Sequence, residues 1–187
     1  MTPTLSLRLN ALGLLAISAV LLVAFFDQLV LSDLPCPLCI LQRAGFVVAG
    51  FGLALNLRFG PRASHYAIMI IGALAGGTIA GRQILLHILP GSGAYGSALF
   101  GLHFYTWAFI VFALILLGTA VMLLFDGQFA QSESSPAGEY ATKRLAGLSL
   151  AACALFMLLA LGNGISTVLE CAGGLCPDSP TYYLLLR

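Results

Sequence analysis

Two cysteine pairs carry the chemistry this sequence offers. The first lies in Leu34-Pro35-Cys36-Pro37-Leu38-Cys39-Ile40-Leu41-Gln42-Arg43, at the mouth of a long apolar run. A Cys-x-x-Cys pair closes into a small ring that also reopens, so it suits electron exchange better than stapling. With a helix from Ile40 onward, Cys39 sits near its N-terminus, where unpaired N–H groups and the helix dipole stabilise a thiolate. Arg43 falls one turn below Cys39 on the same face and adds its charge to that effect. Pro35 and Pro37 hold the approach extended, since neither continues a helix from before the pair. Half a zinc site and two inert buried cysteines are the alternatives. The usual second half of a zinc site, another such pair or two closely spaced histidines, is not present in standard form.

The second pair stands in Glu170-Cys171-Ala172-Gly173-Gly174-Leu175-Cys176-Pro177-Asp178. Two glycines in the short loop let the sulfurs meet. A bridge across so few residues removes little chain entropy, which favours an exchangeable bridge over a clip that orders the tail, although the clip remains open. A four-cysteine zinc site built from both pairs is a further alternative. Thiolate attack on a disulfide moves electrons through a mixed disulfide, so one pair can hand them to the next. In such a relay Cys171 and Cys176 meet a soluble thiol partner. Cys36 and Cys39, nearer the membrane, hand on to a lipid-soluble acceptor, and a quinone fits because it takes two electrons, as a dithiol gives two. The fifth cysteine, Cys153, reads as a small buried hydrophobe.

The elements that must position these residues are membrane helices. The 187 residues are 60% hydrophobic and 8% charged, against about 25% charged in soluble domains. Five apolar runs, about 9–31, 39–57, 65–89, 104–125 and 145–169, each approach the ~20 residues that cross a hydrocarbon core. They form a single membrane domain over 1–187, all-α, with an external tail at 170–187. The first run exceeds the core of a signal peptide, about 7–15 residues, and is expected to be retained. The net charge of +1 argues against a basic nucleic-acid surface. The polar stretch 126–144, with Ser134, Ser135, Pro136 and Gly138, reads as an exposed flexible loop. Arg8, Arg58, Arg62, Lys143 and Arg144 fall on one side of the spans, the expected cytoplasmic side; only Arg187 opposes the bias. The N-terminus is then cytoplasmic, the C-terminus external, and all four paired cysteines lie on the external face, where disulfides persist in bacteria.

Polar side chains inside the spans are the remaining candidates, because an arginine there is costly and usually faces the bundle interior. Arg43, Arg82, Gln83 and His87 together can offer hydrogen bonds to the carbonyl oxygens of a quinone near Cys39. The alternative is that the arginines snorkel to headgroups and His87 is merely interfacial. Asp27 and Gln28 are placed to pair with an arginine. The glycine-rich loop from Pro90 to His103, with Tyr95, Phe100, Phe104, Tyr105 and Trp107 in or just after it, reads as an aromatic belt or a cover over the acceptor site.

These features resemble the bacterial DsbB family of quinone-linked disulfide bond formation proteins. The resemblance rests on Pro35-Cys36-x-x-Cys39 between the first two spans, on Arg43, and on Gly81-Arg82-Gln83 in the third span; it covers about residues 10–125 in span order. It implies a four-helix core, here with a fifth span added, in the bacterial inner membrane. It also implies a ubiquinone or menaquinone acceptor and reoxidation of a periplasmic thioredoxin-like thiol oxidase of the DsbA type. By resemblance Cys36 and Cys39 exchange electrons with the quinone and Arg43 sits at it. The sequence departs from the family in one respect: the second pair usually lies between spans three and four, yet 90–103 holds no cysteine and the pair follows the fifth span. Two rival readings are a membrane thiol reductase resembling vitamin K epoxide reductase, whose redox motif sits late in its bundle, and a Cys-based metal-binding membrane protein.

Overall fold

A computed structural model describes residues 1–89, 91, 93–96, 98–129 and 136–186, with backbone alone at Pro3 and 136–145. The elements are α1 (Pro3–Val30), α2 (Pro37–Phe59), α3 (Ala63–Leu86), β1 (Ala98–Leu99), β2 (Leu102–His103), α4 (Phe104–Leu123) and α5 (Pro136–Cys171), with short 3-10 turns at Asp126–Gln128 and Leu184–Leu186. All five α-helices are long and apolar enough to cross a membrane. The protein is a helical membrane bundle.

Helix boundaries differ from the expected spans where local chemistry extends or ends a helix. α1 begins at Pro3 because Thr2 caps it, its hydroxyl accepting from the Leu5 N–H at 3.3 Å. α2 begins at Pro37, two residues before the expected start: a proline at the first helical position has no N–H to lose there. α3 stops at Leu86, where His87 takes a non-helical conformation. The expected 126–144 loop is narrower than it reads. Gln128 is buried, and Pro136 and Gly138 already belong to α5; Ser134 and Ser135 lie outside the described residues.

The α2–α3 contact sets the spacing of the bundle. A Cβ on Gly45 would come within 2.8 Å of the Gly76 Cα, and one on Gly72 within 2.6 Å of the Ala49 nitrogen. Hydrogen in place of a side chain lets the two backbones approach, the usual route to tight helix association in lipid. α4 packs on α3, while α5 packs on α1 and α2. Phe46 of α2 stacks on Phe112 of α4, ring centroids 4.0 Å apart, at the centre of a core that includes Leu14, Leu21, Tyr66 and Phe156. Phe156 is the α5 knob; its ring occupies the space a Cβ at Gly50 would take.

At the end away from the cysteines, a buried polar lattice ties three helices together. Asn10 of α1 donates to the Tyr66 hydroxyl of α3 at 3.2 Å and accepts from Asn56 of α2 at 2.8 Å. Tyr66 and Ser6 both donate to Gln128 Oε1, at 2.8 and 3.0 Å. Each buried group has a partner, as a low-dielectric interior requires. The bundle is thereby pinned at one end while the other carries the cysteines.

Candidate functional site

The site is assembled at the N-terminus of α2. Cys36 is the N-cap, and its Sγ accepts from the Cys39 N–H at 3.1 Å. The helix-terminal stabilisation expected for Cys39 therefore falls on the Cys36 sulfur. An extended Cys36 followed by Pro37 turns the first cysteine back over the helix end, and Cys39 lies within the first turn. The two are joined as a disulfide, as are Cys171 and Cys176. Cys153 is free and half-buried in α5.

Gln83 of α3 closes over the first bridge. Its amide nitrogen lies 3.4 Å from Cys36 Sγ and 3.7 Å from Cys39 Sγ, close enough to donate to both. Its oxygen accepts from Gln42 Nε2 at 2.6 Å, so a buried amide of α2 orients the α3 amide that presents its N–H groups to the sulfurs. His87 lies one turn further on, with Nδ1 2.8 Å from the Gln83 carbonyl oxygen. Its ring stacks on Tyr105, which stacks in turn on His103 (centroids 5.3 and 5.4 Å apart).

Arg43 is deeply engaged rather than snorkelled. Nη1 donates to Gln28 Oε1 at 2.6 Å and Asn163 Oδ1 at 3.2 Å, and Nη2 donates to the Ala24 carbonyl at 2.9 Å. The sequence suggested Gln28 as an arginine partner; Asn163 was not foreseen, although a polar residue inside span five is a signal of its kind. Gln28 donates onward to Ser166 at 2.6 Å and to the tail hydroxyl of Tyr183 at 3.0 Å.

Cys39, Arg43 and Gln42 line one cavity of about 350 Å³. Val20, Val23, Phe46 and Val111 form apolar walls, and Asp27, Asp33, Tyr95 and Trp107 border it. Tyr95, Gly96 and Leu99 roof it: the Tyr95 hydroxyl donates to Leu34 O at 2.7 Å, and Trp107 Nε1 donates to Leu99 O at 2.9 Å. Burial pushes the Tyr95 phenol up from its ordinary value, and the charges of Asp33 and Glu170 add to this, so it stays a donor across the neutral range. A mostly apolar pocket with a few convergent polar groups is the form small-molecule sites take.

The other sequence candidates lie around this cavity rather than in its wall. Gln83 and His87 sit behind the disulfide. Arg82 is exposed on α3 and is not among the lining residues. Cys171 is buried and Cys176 half-buried at the end of α5, also outside the lining. Between them the chain turns through left-handed Ala172 and Gly173, with φ of 51° and 73°, and Leu175 stands 98% exposed. Among the described residues no group of three or more His, Cys, Asp or Glu side chains is spaced to hold a metal ion.

Residues 6–97 match the family model described as disulfide bond formation protein DsbB. Over this stretch the chain belongs to the DsbB family. It is similar to disulfide bond formation protein B of Marinobacter nauticus, 41% identical over 80 residues, which is 41% of this chain and 48% of that one. The Xanthomonas euvesicatoria protein of the same name is 37% identical over 84 residues, 42% of this chain and 49% of that one. The Xylella fastidiosa protein is 33% identical over 115 residues, 58% of this chain and 66% of that one. The chain thus spans about half the length of the first two relatives. No solved structure matches it. The DsbB stretch holds α1–α3, the first cysteine pair, Arg43 and Gln83; α4, α5 and the second pair lie beyond it.

Proposed function

We propose that the protein is a quinone-dependent disulfide oxidoreductase of the bacterial inner membrane, with its N-terminus cytoplasmic and both cysteine pairs on the periplasmic face. The observation that carries this reading is the cavity itself: one redox sulfur, Cys39, shares an apolar pocket with an arginine. A quinone head group suits that lining, since flat apolar walls accept the ring while Arg43 and Gln42 offer N–H groups to a carbonyl oxygen. Ubiquinone and menaquinone satisfy this description equally.

A reduced thioredoxin-like oxidase of the DsbA type is the electron donor. Its thiolate attacks the Cys171–Cys176 bridge at the half-buried Cys176, forms a mixed disulfide, and leaves as its own disulfide with the tail pair reduced. The tail dithiol then reduces the Cys36–Cys39 bridge by the same exchange. When bound, the quinone supplies a sink for two electrons and two protons. Cys36 is held as a thiolate by the Cys39 N–H and the Gln83 amide, which lowers the cost of breaking the bridge. Cys39 presents its sulfur to the cavity, where the Arg43 charge favours its thiolate form. The apolar walls and the Tyr95 roof keep bulk water from the reacting sulfur.

The test uses purified protein in detergent with ubiquinone-1 and a reduced thioredoxin-like partner, following quinone absorbance. Wild type reduces the quinone, and Cys39→Ser abolishes this. Loss of reduction in Cys171→Ser/Cys176→Ser makes the tail the point of entry. Retained reduction in that variant makes the tail bridge a clip, with the partner meeting Cys36–Cys39 directly. An inactive wild type overturns the reading.

A further inference from the structure

One of the three direct acceptors of Arg43, Asn163, and both acceptors of Gln28 come from outside the DsbB-like stretch. Asn163, Ser166 and Glu170 succeed one another at three- and four-residue intervals and so share one face of α5. Asn163 accepts directly from Arg43, and its own Nδ2 donates to the Leu159 carbonyl at 2.8 Å, which turns its oxygen toward the guanidinium. Ser166 and the tail residue Tyr183 accept from Gln28 and thereby orient the Gln28 oxygen that Arg43 uses. Glu170 is 0% exposed, and neither of its carboxylate oxygens has a hydrogen-bond partner.

A buried carboxylate without donors is costly, and so is an arginine inside a span. Glu170 shares with Asn163 the face of α5 that meets Arg43 and makes no direct hydrogen bond to it, so opposite charges on that face offset part of the cost through space. An arginine without a counter-charge has another outlet, since its long stem lets the head group reach the lipid headgroups. We propose that α5 is part of the acceptor site, with Asn163 and Glu170 as positioning residues that hold the Arg43 guanidinium at the cavity wall. This rests on the quinone reading of the cavity. It explains a fifth helix packed on α1 and α2, the two helices that carry Arg43 and its partners Ala24 and Gln28. It also places the counter-charge of the acceptor site next in the chain to Cys171.

Trp107 is the single tryptophan in the chain and lines the cavity, so its emission reports occupancy directly. Full-length protein in lipid nanodiscs is titrated with ubiquinone-1, as wild type, Asn163→Ala, Glu170→Gln and Glu170→Asp. The dissociation constant is expected to rise about tenfold in Asn163→Ala and Glu170→Gln, less than full loss of a buried charge partner because the other contacts of Arg43 remain. Glu170→Asp restores most of the affinity. The rate at which a reduced thioredoxin-like partner exchanges with the tail bridge stays within about twofold in Asn163→Ala, which lies about two turns from Cys171. Wild-type affinity in both Asn163→Ala and Glu170→Gln overturns the proposal while leaving the quinone reading in place. Equal losses in Glu170→Gln and Glu170→Asp, together with a lowered melting temperature, also overturn it, because the carboxylate would then be a packing element. A wild type that does not bind ubiquinone-1 overturns both. If Glu170→Gln does not fold, Asn163→Ala and Glu170→Asp carry the comparison.

Discussion

At the residue scale the two sulfurs of the first pair are differentiated by their donors. Cys36 Sγ receives the Cys39 N–H and the Gln83 amide, whereas Cys39 has its Sγ further from Gln83 and is the one of the two that lines the cavity. A hydrogen bond to a charged group contributes about 1.5–3 kcal/mol, so its loss raises a thiol pKa by about one unit or more. Gln83→Leu is therefore expected to shift the pH profile of iodoacetamide labelling of the reduced pair upward by about one unit. An unchanged profile would place Gln83 as a spacer only. The two arginines separate in the same way. Arg43 uses both terminal nitrogens on three acceptors, a geometry that lysine does not reproduce. Arg43→Lys should raise the KM for ubiquinone-1 about tenfold, while Arg82→Ala, at an exposed position, should stay within about twofold of wild type. Steady-state kinetics on the two variants decides whether both arginines of the sequence pattern serve the cavity or only one.

At the element scale the α2–α3 seam decides whether the site forms at all. Gln42 and Gln83 meet at 2.6 Å only because Gly45, Gly72 and Gly76 let their helices close up. Gly72→Val drives a branched side chain into the Ala49 nitrogen and the Gly45 carbonyl. Such overpacking costs about 1–3 kcal/mol or more. The expected result is a lower melting temperature together with loss of the Gln83 effect on the labelling profile. The polar lattice at the opposite end makes a separate contribution. Asn56→Leu removes the donor to Asn10 Oδ1 and the acceptor for the Arg62 N–H, and leaves His65 Nδ1 without its partner. It should cost about 2–3 kcal/mol by denaturant titration, since buried polar groups are left unpaired. Because this lattice is remote from the cavity, ubiquinone-1 affinity of the folded fraction should be unchanged.

At the scale of the whole molecule, two features depend on how the bundle sits in its membrane. The Lys and Arg bias predicts that residues 8, 58, 62, 143 and 144 share the cytoplasmic side. An alkaline phosphatase fusion after Arg187 is expected to be active in intact bacteria and one at the Arg58–Arg62 connection inactive; the opposite pattern inverts the topology. The tail bridge closes a loop with a sequence separation of 5, for which loop-closure entropy gives only about 2 kcal/mol. Cys171→Ser/Cys176→Ser should therefore melt within a few degrees of wild type while its exchange with a thiol partner is lost. A large drop in melting temperature would make the bridge structural.

Five spans, two cysteine pairs and an arginine after the first pair were legible from composition and spacing alone, because membrane helices announce themselves by length and apolarity and Cys-x-x-Cys is local in sequence. Cys36 and Cys39 meet, and Gln28 binds an arginine, as the order of residues suggested. The sequence could not say which sulfur would receive the helix N–H, because that follows from the backbone turn at Pro37. Nor could it separate Arg43 from Arg82, since both are arginines in apolar runs and only helix rotation within the bundle puts one in the cavity wall and the other outside. The joining of Asn163 to Arg43, 120 residues away in sequence, was likewise decided by tertiary packing, because contact between helices depends on which faces dock, and a single chain records that only as isolated polar residues in apolar spans.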